Sequence, residues 1–80
     1  MTKDEVFSKL KEVLVSEFGL EDSEVTPEAN LAADLDLDSI DAVDLIVKMK
    51  SHVSGKIEPE QFKHVKTVQN IVDVLFPLAQ

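Results

Sequence analysis

Asp34-Leu35-Asp36-Leu37-Asp38-Ser39-Ile40-Asp41-Ala42-Val43-Asp44 packs five carboxylates, no base and a single serine into eleven residues. Two patterns meet inside it. Up to Leu37 the leucines alternate with acids, as anchors spaced along a loop do. From Asp38 or Ser39 onward the period changes. Ala42, Leu45, Ile46 and Met49 form one helical stripe with Val43 beside it, while Ile40, Asp44, Val47 and Ser51 fall on another side. A helix is therefore predicted from Asp38 or Ser39 to near His52, with Ser54-Gly55 ending the segment. An acidic stretch around one exposed hydroxyl suits a site that basic proteins approach and modify, rather than one that performs chemistry itself.

Upstream, Thr2 with Glu5 makes a capping-box pattern. Val6, Leu10, Val13, Leu14 and Phe18 follow at helical spacing, with Phe7 beside them, and Gly19 fits a left-handed closing position. The first helix is predicted over about residues 3–17. Residues 19–38 then form a long connection, fastened by Val25, Leu31, Leu35 and Leu37, with one short turn at Thr26-Pro27-Glu28. Downstream, Pro59 opens a short turn through Phe62 to His64. Thr67 caps a last helix with Val68, Ile71, Val72 and Leu75 as its buried stripe, and Pro77 is expected to end it. The fold class is all-α: a small four-helix bundle of three main helices plus one short helix, with a long loop between the first two. There are no repeats or low-complexity tracts.

Eighty residues make one small domain with a thin core, since a chain of this size buries only roughly 60–65% of its unfolded surface. The absence of cysteine excludes disulfides and thiolate metal sites, and His52 and His64 are too far apart in sequence to read as a ligand cluster. No run approaches the ~20 apolar residues of a membrane span, and no signal peptide is recognisable, so the expected location is cytoplasmic. Of the net charge of −8, residues 1–40 carry all of it, with eleven acids against three lysines; residues 41–80 hold five of each. With no arginine and no basic face, nucleic acid is not an expected ligand. A partner with a basic patch is.

Ser39 admits several readings. A nucleophilic serine needs a base and an oxyanion hole, and neither histidine is placed by a motif to serve it. A serine at a helix start is also a good N-cap, with acidic neighbours suited to the positive end of the dipole. The alternation from Asp34 resembles half a calcium loop, but the sixth and twelfth positions hold Ser39 and Leu45 where glycine and glutamate are required. Loose attraction of divalent ions to the acidic run remains compatible with the sequence.

Leu35-Asp36-Leu37-Asp38-Ser39-Ile40 followed by Asp41-Ala42-Val43-Asp44-Leu45 resembles the acyl carrier protein signature, Leu-Gly-x-Asp-Ser-Leu and then two spaced acids. The likeness covers the whole of residues 1–80. It includes the amphipathic first helix, the long loop, Ile57 before an acidic proline-bearing turn, and Thr67-Val68-Gln69 opening the last helix. The resemblance implies a non-enzymatic, monomeric carrier. Ser39 would take 4′-phosphopantetheine from coenzyme A through a phosphodiester, installed by a phosphopantetheinyl transferase that Asp38 contacts, near helix-start N–H groups that favour an anion. The arm's thiol would carry acyl groups as thioesters between acyl-loading and ketosynthase-type enzymes. Asp41, Asp44, Ile40 and Val47 would meet basic and apolar patches on those partners. Val43, Leu45, Ile46, Met49, Phe62, Val65, Ile71 and Val72 would either form plain core or line a pocket for the bound chain.

The chain also departs from that pattern. Asp36 stands at the usual glycine and is expected to stiffen the loop, and Ile40 replaces the usual leucine. Lys48, Lys50, Ser51 and His52 occupy a region where glutamates are common, with Lys50 at a partner-binding position. Such a reversal redirects partner choice. A specialised carrier of a secondary pathway, of polyketide or aryl-polyene type, is therefore expected over a housekeeping fatty-acid carrier. The open alternatives are an aminoacyl or D-alanyl carrier, and an acidic helical protein-interaction module with no prosthetic group.

Overall fold

The computed structural model describes residues 2–53 and 55–79. Ser54, expected to help end the second helix, lies outside them. Three α-helices carry the architecture: α1 (Lys3–Phe18), α2 (Ser39–Met49) and α3 (Val68–Leu78). Short 3-10 turns at Asp22–Glu24 and Pro59–Phe62 punctuate the two connections. Among the described residues there is no strand, only an isolated antiparallel bridge between Asn30 and Thr67.

Each helix starts where its cap stands. Thr2 accepts from the Glu5 N–H at 3.2 Å while the Glu5 carboxylate accepts from the Thr2 N–H at 2.8 Å. Gly19 closes α1 at φ 69, a left-handed conformation that glycine adopts at little cost. Thr67 accepts from the Asn70 N–H, and the Asn70 amide oxygen accepts from the N–H groups of Thr67 and Lys66. α3 does not stop before Pro77, as the sequence suggested, but runs through it to Leu78. The proline's fixed φ is already a helical value, and the last turn is closed by the Ala79 N–H on the Leu75 and Phe76 carbonyls. α2 is also shorter than expected, ending at Met49 with one further turn to His52.

α1 packs against both other helices, and α3 against the Pro59–Phe62 turn. Val6, Leu10 and Leu14 of α1, Leu45 and Met49 of α2, and Val68, Ile71, Val72 and Leu75 of α3 are essentially solvent-free. Burying one such aliphatic side chain is worth about 1.5–3 kcal/mol. No polar or charged side chain is buried among the described residues, so the core needs no internal hydrogen bonds.

The long connection is not slack. Val25, Leu31, Leu35 and Leu37 are all buried, joined by Ala29. Its backbone is stitched to the start of α3: Leu31 N–H to Lys66 C=O at 2.8 Å, Val68 N–H to Ala29 C=O at 3.1 Å and Gln69 N–H to Pro27 C=O at 2.9 Å. The Leu37 N–H donates to the Leu31 carbonyl at 2.8 Å, which delivers the chain into α2 from a fixed frame.

Candidate functional site

The residue that caps α2 is Asp38, not Ser39. Asp38 keeps an extended backbone (φ −93, ψ −174), as a cap must, whereas Ser39 is already helical. One Asp38 carboxylate oxygen, Oδ1, accepts from the N–H groups of Ile40 and Asp41 at 3.0 and 2.9 Å. Asp41 Oδ2 accepts from the Asp38 N–H at 3.2 Å. The capping role that the sequence left open for Ser39 is thus filled by its neighbour. The Ser39 side chain, at the first helical position, is exposed and its hydroxyl makes no hydrogen bond among the described residues.

Two concavities meet at Ser39. One is a groove of about 830 Å³. It is lined by Ser39, Ala42, Val43 and Ile46 of α2, by Phe62 and Val65, and by Leu31, Ala32 and Leu37 of the long connection. Asn30, Asp38, Glu60, Lys63 and Lys66 supply its polar atoms. Of the side chains considered for a pocket, Val43, Ile46, Phe62 and Val65 line this groove, while Leu45, Met49, Ile71 and Val72 are buried in the core away from it. The other is a shallow hollow of about 560 Å³ along the outer face of α2, bounded by Ser39, Ile40, Asp41, Val43, Asp44 and Val47. Ile40 is 77% exposed, Val47 54% and Val43 48%, the large apolar side chains left in solvent among the described residues. The result is an apolar strip rimmed by acids.

Asp34, Asp36, Asp38 and Asp44 are exposed and Asp41 half-buried; among the described residues only Asp44 of these five has an ion-pair partner, Lys48 at 3.9 Å. Lys50 is exposed just past α2 and forms no ion pair with a described residue. The perturbed carboxyls lie elsewhere. The hydrogen bonds from the Thr2 backbone and hydroxyl hold Glu5 below the usual carboxylate range. Asp73 is lowered first by the Gln69 amide and then by Lys3, whose Nζ sits 3.2 Å away. Both belong to helix ends and helix contacts. Among the described residues no group of three or more potential ligands could hold a metal ion.

A sequence profile described as "Phosphopantetheine attachment site" matches residues 8–75. The chain is 42% identical over 72 residues to an acyl carrier protein 2 of Ralstonia nicotianae, covering 90% of this chain and 89% of that one. It is 43% identical over 75 residues to an acyl carrier protein of Petrotoga mobilis (94% and 88% covered), and 35% identical over 74 residues to one of Thermotoga maritima (92% and 91%). The chain belongs to the acyl carrier protein family. It is a carrier and not a catalyst, and its prosthetic group is a covalently attached 4′-phosphopantetheine.

Family membership gives Asp36 a physical meaning. It stands where the signature has glycine, and it is the one non-glycine described residue with positive φ, at 55. The turn delivering Leu37 needs a left-handed residue, and aspartate tolerates that conformation better than most side chains. Sequence reading named Phe62 and Val65 as possible pocket residues but missed the groove's lysines, Lys63 and Lys66, and the bridge that joins Asn30 to Thr67. Their signal was faint: a four-residue turn and a bridge between residues 37 positions apart.

Proposed function

We propose that Ser39 is the attachment residue and that the chain carries acyl intermediates of fatty-acid or polyketide-type synthesis between enzymes docking on α2. The observation that carries this reading is the unpartnered, exposed Ser39 hydroxyl, released by the Asp38 cap, at the junction of the groove and the docking face. The residues fit the group. The hydroxyl is exposed, and the adjoining groove of about 830 Å³ is lined largely by apolar side chains. A phosphopantetheinyl transferase brings coenzyme A to Ser39. A P–O bond forms between the serine oxygen and the pantetheinyl phosphorus, the pyrophosphate P–O bond breaks, adenosine 3′,5′-bisphosphate leaves, and the hydroxyl proton passes to a base of the transferase. Asp38 uses Oδ1 for the cap and makes no hydrogen bond through Oδ2 among the described residues, which leaves this oxygen for contact with the transferase. When bound, the group supplies a terminal thiol on a flexible tether, which raises the local concentration of a thioester at each partner. The chain has no cysteine to compete for that thioester.

Ile40 and Val47 are the apolar contacts for partners, and Asp41 and Asp44 the charges that steer basic patches toward them. Lys50 adds a cation just past the same helix, which favours partners that are not basic throughout and supports a specialised secondary pathway, aryl-polyene synthesis among them. A monomer in the cytoplasm, where coenzyme A is at hand, serves this role. Fragment-mass mapping after loading tests the attachment: the added mass must reside on Ser39, and any other residue overturns the proposal. Competition between housekeeping and secondary-pathway ketosynthases tests the pathway. Equal elongation by the housekeeping enzyme on this chain and on its own carrier removes the specialised reading.

A further inference from the structure

The start of α2 is a poor place for the phosphodiester that loading would create. Its donors are in use: Asp38 takes the Ile40 and Asp41 N–H groups, Asp41 takes the Asp38 N–H, and the Asp38 carbonyl takes the Ala42 N–H at 3.0 Å. The sequence-based expectation that free helix-start donors would hold the anion is corrected accordingly, since only the Ser39 N–H is left. Around it stand Asp36, Asp38, Asp41 and Asp44, and only Asp44 has a lysine partner. A new negative charge there is repelled rather than welcomed.

Across the groove the charge reverses. Lys63 and Lys66 are the cations lining it, both exposed, and neither forms an ion pair with a described residue. Glu60 and Asp38 line the same groove and leave both lysines unpaired. The Lys66 backbone is clamped at the Ser39 end: its carbonyl accepts from Leu31, the Leu31 carbonyl accepts from Leu37, and its N–H donates to Asn70 Oδ1 at 3.0 Å. Residue 66 is thus held two hydrogen bonds from the residue preceding the α2 cap, with only its flexible four-carbon stem left to move.

We infer that Lys63 and Lys66 form the anion site for the phosphodiester of the attached arm, holding the arm along the groove between deliveries. The inference rests on attachment at Ser39. Because both ammonium groups are solvent-exposed, each pairing shifts the docked-to-free ratio by only about two- to fivefold. The arm therefore releases quickly, as a carrier requires.

The test compares unloaded and loaded protein, with intact mass confirming one arm. The side-chain carbons next to each lysine ammonium are titrated by NMR. An adjacent anion tightens proton binding by about two- to fivefold, so the Lys63 and Lys66 midpoints rise by roughly 0.3–0.7 pH unit on loading. Lys56, paired with Glu58 and away from the groove, serves as the reference. In loaded Lys63→Gln/Lys66→Gln protein, phosphorus relaxation of the phosphodiester should report faster local motion than in the parent. Midpoints that rise no more than that of Lys56, or phosphorus relaxation unchanged by the double substitution, overturn the anion site. Absence of any added mass overturns the Ser39 attachment instead.

Discussion

Asp38→Ala and Ser39→Ala are adjacent substitutions with opposite expected consequences. Asp38→Ala removes the acceptor of two backbone N–H bonds at 3.0 and 2.9 Å and disturbs the reciprocal 3.2 Å bond that the residue's own N–H donates to Asp41 Oδ2. Loss of an N-cap costs about 1–2 kcal/mol. Relief of repulsion among the neighbouring carboxylates returns a few tenths of a kcal/mol, leaving about 1–1.5 kcal/mol of net destabilisation. With an unfolding entropy of about 2.1 cal/mol/K per residue over 80 residues, each kcal/mol moves Tm by about 6 °C, so a fall of about 6–9 °C is expected. Ser39→Ala removes an exposed hydroxyl with no partner among the described residues and should change stability by less than about 0.5 kcal/mol, under about 3 °C. Asp38→Asn retains a capping oxygen and should recover most of the loss. Thermal melts of the four unloaded proteins by circular dichroism read this directly. If Ser39→Ala melts as low as Asp38→Ala, or Asp38→Ala melts with the parent, the capping assignment fails.

Asp36→Gly should stabilise the fold by about 0.5 kcal/mol, because glycine accepts the φ of 55 without a Cβ penalty; Asp36→Asn, which keeps the side chain's left-handed tolerance but drops its charge, separates backbone from electrostatics, and melts that order glycine below aspartate contradict the strain. The carboxyl of Asp73 is lowered in the folded state, so its stabilising contribution is fully present above the usual aspartate value and is lost as pH falls through the lowered one. The stability gap between parent and Asp73→Asn should therefore be open near neutrality and close in acid, as denaturant titrations at several pH values would show; a gap that widens in acid refutes this. Self-repulsion in residues 34–44 should ease with added salt and with millimolar divalent ions, raising Tm without a saturable, site-like midpoint, and a flat response removes the idea.

Much of this was legible in the sequence because it was local. Thr2 with Glu5, Gly19, and Thr67 before Val68 announce helix ends within three residues of themselves, and the 3.6-residue spacing of Leu45, Ile46 and Met49 reveals the face that is buried. The anchors Val25, Leu31, Leu35 and Leu37 were readable because they are large and apolar within an otherwise polar stretch. Features set by backbone conformation were not. Adjacent Asp38 and Ser39 are both good caps, and only ψ at Asp38 decides between them. Nothing in the residue type of Asp36 declares a positive φ, although the glycine of the family signature hinted at it. Pro77 looked terminal because proline usually is, yet its fixed φ is a helical value, and the one i→i−4 bond that proline cannot donate is lost only in the last turn. The groove and its lysines depend on the Leu31–Lys66 and Asn30–Thr67 pairings, which join distant segments and carry no periodic signature.

Intact-protein mass, after incubation with coenzyme A and a promiscuous phosphopantetheinyl transferase, tests the central claim most directly when parent and Ser39→Ala are run together. The expected result is one added phosphopantetheine on the folded parent and none on the equally folded variant. A folded parent that gains no mass, or a Ser39→Ala protein that gains the same mass as the parent, contradicts attachment at Ser39.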